Sequence, residues 1–254
     1  MLTDALLFVI GAAVGVMNAV AGGGGLIGFP ILMSVGGLSA LSANATSYLV
    51  VMPGQFAAAI GYREYLRKIP KHYAWLLIPC ALGAGVGSFA LRHTSNQSFS
   101  DLVPELIIVA IGLFAFQPFL QKHFHKYLTK RVKHVRPFAA AALVLFLMSI
   151  YGGFFGPGFG FILLAALSFT RLNHMHQMNG LKNIATVVMS LASLAILSQG
   201  SFVDWRAGSI MAIGSLLGGY GGARFSQKAP SNISRIVVIT IGGIATAYLA
   251  VRNY

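Results

Sequence analysis

The chain has 254 residues, 56% of them hydrophobic and 9% charged, with a formal net charge of +13 and a mean hydropathy of +0.75. A soluble domain carries about 25% charged residues, so this composition excludes an ordinary soluble protein. It fits a membrane protein with room for six to eight spans of about 20 residues. The basic residues lie in short loops between apolar runs, where they orient a chain in a bilayer and call for no nucleic acid.

The N-terminus, MLTDALLFV, has no basic stretch and carries Asp4, so it does not read as a cleaved signal peptide. The first apolar run, Ala5–Met33, is too long for one straight crossing. Inside it stand four consecutive glycines, Gly22, Gly23, Gly24 and Gly25. Each costs a helix about 1 kcal/mol relative to alanine, so the run predicts a broken helix. A break inside lipid is tolerated only where its freed N–H and C=O groups face protein or a water-filled cavity. A second span is expected over Ala40–Tyr62, followed by a basic loop with Arg63, Arg67, Lys68 and Lys71. A third covers Ala74–Leu91, a polar loop Arg92–Asp101, and a fourth span Val103–Leu120. Residues 122–136 hold the densest charge and read as a solvated linker on the cytoplasmic side, with contact to anionic lipid compatible.

The second half repeats the plan. Phe138–Thr170 is apolar with a break at Tyr151–Gly160, Arg171–Asn179 is polar, and Asn183–Leu197, Ala207–Ala223 and Ile236–Val251 are spans. Shifting Gly22 and Gly24 by 134 residues lands on Gly156 and Gly158, which predicts an internal duplication. The expected architecture is an all-α integral membrane protein of two repeats, 1–121 and 137–254, each of about four helical segments with the first one broken. If the broken segments re-enter the side they came from, the basic loops, Arg171, Arg224, Lys228 and Arg235 share one side. Only Arg92, Arg206 and Arg252 then lie opposite, which follows the positive-inside rule better than eight full crossings do. The halves then become inverted repeats.

Gly23 to Gly28 fits GxGxxG in letters, but no strand or βαβ unit surrounds it, so a dinucleotide site is rejected. The half-helix after the break would instead aim its N-terminal N–H groups at the bilayer midplane, an arrangement that binds anions. Close helix packing is the structural alternative, and packing is the expected role of Gly83-x-x-x-Gly87 and Gly214-x-x-x-Gly218-x-x-x-Gly222. Those faces join either the two halves or two protomers of a homo-oligomer. Asn44, Thr46, Ser47 and Tyr48 cluster at the second span with Gln55 deeper, and Asn179, Lys182, Asn183 and Thr186 stand at the corresponding place in the second half. Intramembrane polar groups are expensive and tend to be functional. Lys182 is the one cation near membrane depth; an anion could partner it, or it could snorkel to the interface. The five acids, Asp4, Glu64, Asp101, Glu105 and Asp204, fall in loops or at span ends, so the pathway suits an anion rather than a cation.

Cys80 is the sole cysteine, which excludes an intrachain disulfide and a cysteine metal cluster. His174-x-His176 reads as a loop without metal, and no cofactor, metal or catalytic machinery is expected. Candidate substrate-binding residues are therefore Asn18, Gly22, Gly23, Gly24, Gly25, Asn44, Thr46, Ser47, Gln55, Tyr151, Gly156, Pro157, Gly158, Lys182 and Asn183.

The pattern N-x-x-A-G-G-G-G-x-x-x-x-P within Gly11–Pro30, the A-T-S of Ala45–Ser47 and the second glycine segment Gly152–Gly160 resemble the TauE/SafE family of bacterial membrane transporters, over essentially the whole chain. The chain departs from that pattern in having Lys182-Asn183 in place of a second hydroxyl pair. The resemblance implies a multi-pass protein of the bacterial inner membrane that carries sulfur-containing anions such as sulfite or organosulfonates, commonly outward. It implies binding roles for Gly22–Gly25, Thr46, Ser47, Gly156, Pro157 and Gly158, and no catalytic residues. An anion channel, or a membrane subunit of a larger complex, stays open as an alternative.

Overall fold

A computed structural model describes residues 2–109, 112, 137–167, 170, 172 and 174–228. The basic linker, the end of the fourth predicted span, Arg171 and the last predicted span lie outside the described residues. Among those described, every regular element is helical: α1 (Leu2–Val20), α2 (Gly25–Ser34), α3 (Ala40–Gly61), α4 (Arg63–Leu66), a 3-10 turn Lys71–Leu76 leading into α5 (Leu77–Arg92), α6 (96–109), α7 (Pro137–Phe154), α8 (Phe159–Leu167), α9 (Met175–Leu197) and α10 (Trp205–Lys228).

Three boundaries differ from the sequence expectation. The helix α9 begins at Met175 rather than Asn183, so Asn179 and Lys182 sit inside it and His176 lies in its first turn instead of on an extended segment. The helix α6 begins at residue 96, within the predicted loop, because Ser95 Oγ accepts the Ser98 N–H at 3.1 Å and caps it. The helix α10 starts at Trp205 and continues to Lys228. In each case a polar stretch joins a helix whose core-facing side lies further along, so low local hydropathy hides the first turns.

Contacts at small residues fix the helix directions. A Cβ on Gly11 would run into the Met211 backbone, one on Gly15 into Ser215, and one on Gly222 into Val16. Numbers rise together, so α1 and α10 run parallel, and Arg206 meets Asp4 at 3.3 Å where both begin. The helix α3 starts at that same end, since Thr46 Oγ1 accepts the Asp204 N–H at 2.9 Å, and finishes with Tyr62 O–H directed at Ala19 O and Ser226 Oγ. The chain must therefore return between Val20 and Ala40, and α2 is the return arm: Gly24 and Gly28 both pack on Val14. The second hairpin is built the other way up. The helix α7 starts beside His72 and Tyr73 through Phe138, runs parallel to α5 through Gly83 and Gly87, and α8 comes back. The helix α9 then leaves from Tyr62 and Tyr65, against which His176 stacks, and ends where Arg92 donates to Gln199 Oε1 at 2.8 Å.

The bundle thus has an Asp4 end, with Arg92 and Arg206, and a basic end carrying Arg63, Arg67, Lys68, Lys71 and Lys228. Among the described residues, three stretches, Leu2–Val20, Lys71–Arg92 and Met175–Gly200, are long and apolar enough to cross a membrane. The helices α3 and α10, with 22 and 24 residues, reach the length of a span but are richer in small and polar residues, because they pack on other helices over much of their surface. Outward-facing Leu82, Val86 and Phe89 form a stripe on α5 at helical spacing. Both tryptophans are exposed, Trp75 at 66% and Trp205 at 56%, one toward each end of the bundle. That is the placement of aromatic anchors at two lipid–water interfaces.

Candidate functional site

The tips of the two hairpins meet in the interior. Gly22 (φ +98°) and Gly158 (φ +78°) adopt left-handed backbone, the conformation glycine takes at least cost. In Gly22 that turn lets the Ala21 and Gly22 N–H groups both reach Met17 O and close α1. The two breaks touch through bare backbone: a Cβ on Gly22 would lie 2.5 Å from the carbonyl carbon of Gly160, and one on Gly25 2.9 Å from Pro157 Cα.

Around this junction is a cavity lined by Asn18, Gly22, Gly25, Ser47, Tyr48, Val51, Gln55, Gly152, Gly156, Phe159, Gly160, Thr186, Met189 and Ser190. Its volume is about 20 Å³, enough for roughly one water. An oxyanion is larger than one water, so binding here would need the walls to part. Gly25 opens α2, and Phe159–Gly160 open α8, so the positive ends of two half-helices border the same space. Asn18 Nδ2 and Gln55 Oε1 are buried without hydrogen-bond partners. No acidic side chain lines the cavity.

Six sequence candidates line it: Asn18, Gly22, Gly25, Ser47, Gln55 and Gly156. Others hold the breaks. Asn18 Oδ1 accepts the Gly24 N–H at 2.9 Å, Gly23 packs on the Phe161 ring, and Pro157 and Gly158 pack on Gly25. Asn44, fully buried, donates to Phe154 O at 2.9 Å and accepts the Gly156 N–H at 3.2 Å. Thr46 ties α3 to the start of α10, and Tyr151 O–H donates to Leu106 O at 2.9 Å, away from the cavity.

Lys182 is also fully buried, with Nζ donating to Asn18 O at 2.6 Å. It caps the carbonyl end of α1 by donating to one of that helix's last carbonyls. The matching end of α7 is capped by neutral groups, since Tyr48 O–H donates to Gly152 O and Gly153 O at 2.8 Å each and Ser88 O–H to Gly153 O at 2.9 Å. Asn183 lies beyond the lining, and neither of its amide atoms has a partner.

Sequence reasoning left Thr186, Met189 and Ser190 out of the candidate site. The signal was spacing: Thr186 and Ser190 stand four apart on α9, as Val51 and Gln55 do on α3.

Apolar helices with a lipid-facing belt around a buried polar cavity, built where broken helices meet, define a helical membrane transporter. Comparison with known proteins gives the family. The family described as "Sulfite exporter TauE/SafE" matches residues 7–249, and the chain belongs to it. Similar proteins include a "Probable membrane transporter protein" of Haemophilus influenzae, 31% identical over 246 residues, covering 96% of this chain and 92% of that one. A "Probable membrane transporter protein ORF9" of a Sinorhizobium species is 25% identical, covering 97% and 92%. A "Probable membrane transporter protein YfcA" of Escherichia coli is 24% identical, covering 96% and 88%. No solved structure matches.

Proposed function

We propose that the chain exports a small sulfur-containing anion, sulfite or an organosulfonate, through the cavity at the hairpin junction. The observation that carries this reading is the convergence of two half-helix N-termini and the unpartnered Asn18 Nδ2 on a cavity without a carboxylate. Such a set of neutral donors favours an anion. In this reading the two halves, 1–121 and 137–254, are inverted repeats. The junctions support it: Val20 to Phe154 and Gly25 to Phe159 are each 134 residues apart, and Ala40 to Met175 is 135. Packing follows the same exchange, α1 with α10 and α7 with α5.

Both hairpins re-enter, and the basic end faces the cytoplasm of a bacterial inner membrane, in keeping with the positive-inside rule. A monoanion leaving a negative interior gains about 2.3 kcal/mol per 100 mV, so export needs no coupling ion. The test is thermal unfolding of the purified protein in detergent with sulfite, sulfoacetate, taurine, thiosulfate, sulfate or chloride. A ligand at 100 times its Kd adds about 2.7 kcal/mol of stability. The expected result is a rise in Tm with one class of sulfur oxyanion, and absence of a rise with every anion would contradict the reading.

A further inference from the structure

One face of α9 carries His176, Asn179, Asn183, Thr186 and Ser190, spaced 3, 4, 3 and 4 residues apart, which places them in one stripe along the helix. The deep end of the stripe opens on the cavity through Thr186 and Ser190. Its outer end lies at the basic end of the bundle, where the His176 ring is 6.0 Å from that of Tyr62 and 4.8 Å from that of Tyr65. Between them Asn179 is 2% and Asn183 0% exposed. His176 Nδ1, Asn179 Oδ1 and both amide atoms of Asn183 are buried with no hydrogen-bond partner. Leaving a buried donor or acceptor unmet is costly, so a packing role does not account for four such atoms in a row.

The equivalent face of α3 behaves differently. Asn44, Tyr48, Val51 and Gln55 have the same spacing, but Asn44 and Tyr48 are bound to the end of α7 and the second break. On the α3 face only Gln55 Oε1 is left unmet, whereas the α9 stripe carries four unmet atoms.

We propose that the α9 stripe is the route by which the anion passes between the basic end and the cavity, with the Tyr62–Tyr65–His176 ring cluster as its outer gate. This rests on the transport reading above. Of the four unmet atoms, Asn183 Nδ2 donates and His176 Nδ1 donates in one tautomer, while Asn179 Oδ1 and Asn183 Oδ1 accept and suit water or the proton of a protonated oxyanion. None holds the solute as a fixed cation would, so it can bind and still leave. Arg63, Arg67 and Lys68, near the mouth, raise the local anion concentration.

The test uses the full chain with Cys80→Ala and either Asn179→Cys or Asn183→Cys, in sealed vesicles of both orientations. The probe is methanethiosulfonate ethylsulfonate, a small thiol-reactive sulfonate. Modification from the basic end alone, slowed by sulfoacetate, a sulfonate that does not react with the probe, is expected. Asn183→Leu should lower sulfite flux roughly tenfold, the scale of one lost buried polar step, while its Tm equals or exceeds that of the parent. Absence of labelling, labelling only from the Asp4 end, or unchanged flux in Asn183→Leu would overturn the route. Should the parent carry no sulfite, the substrate reading fails by itself, and the side from which the cysteines react still decides the route.

Discussion

At Gly22 a side chain would meet two obstacles together, a φ of +98° and the backbone of Gly160. Gly37 has a φ of +68° with nothing within 4 Å of its would-be Cβ. The pair separates backbone strain from close approach. Gly37→Ala should cost about 1–2 kcal/mol, the left-handed penalty alone. Gly22→Ala should cost more than that by several kcal/mol, because backbone rather than a flexible side chain must move; chemical unfolding in detergent measures both. Asn44 makes a second contrast. Asn44→Ala removes two hydrogen bonds and leaves Phe154 O and the Gly156 N–H unmet, an expected loss of about 2–4 kcal/mol. Asn44→Asp keeps an acceptor but buries a charge opposite a carbonyl, so it should be no more stable than Asn44→Ala. The glycine quartet and the polar cluster were legible in the sequence because such residues are conspicuous in apolar runs. Their division into lining residues and clamps was not, since Asn44 and Ser47 are three positions apart and only the placement of the second break separates their roles.

At the scale of elements, the hairpins are the decisive units. The first run enters and leaves at the Asp4 end, the second at the basic end, and their tips meet. Single cysteines at Thr3 and Ser39 in the Cys80→Ala background should therefore react with an impermeant thiol reagent from the same side, and one at Lys68 from the opposite side. Reaction of Thr3→Cys and Lys68→Cys from one side, with Ser39→Cys from the other, would mean that the first run crosses instead. Loop charge favoured this arrangement from sequence alone, because Lys and Arg in short loops beside the spans bias those loops to the cytoplasmic side. Helix starts were less legible. The segment 175–182 reads as polar, yet it forms the first two turns of α9, held by Gly180 against Leu66 and Tyr62 and by Lys182 against Asn18. Those contacts come from distant parts of the chain, and local hydropathy carries no trace of them.

For the whole molecule, two hairpin tips, one small polar cavity and one face of α9 with unmet polar atoms come together in a membrane transporter. The two halves differ where chemistry matters. An amine, Lys182 Nζ, caps α1 where the hydroxyls of Tyr48 and Ser88 cap α7. The glycine offsets were readable in the sequence, while this asymmetry needed the fold, because Lys182 is matched in position by Ser47 and in function by Tyr48. The most direct test of the central claim is uptake of radiolabelled sulfite into liposomes holding only the purified protein. The account predicts saturable uptake that is driven by a membrane potential positive inside the vesicle and is lost in Gly22→Ala vesicles containing folded protein. Flux that stays linear with concentration would mark a channel, and no flux above empty liposomes would contradict the assignment of sulfite transport to this chain.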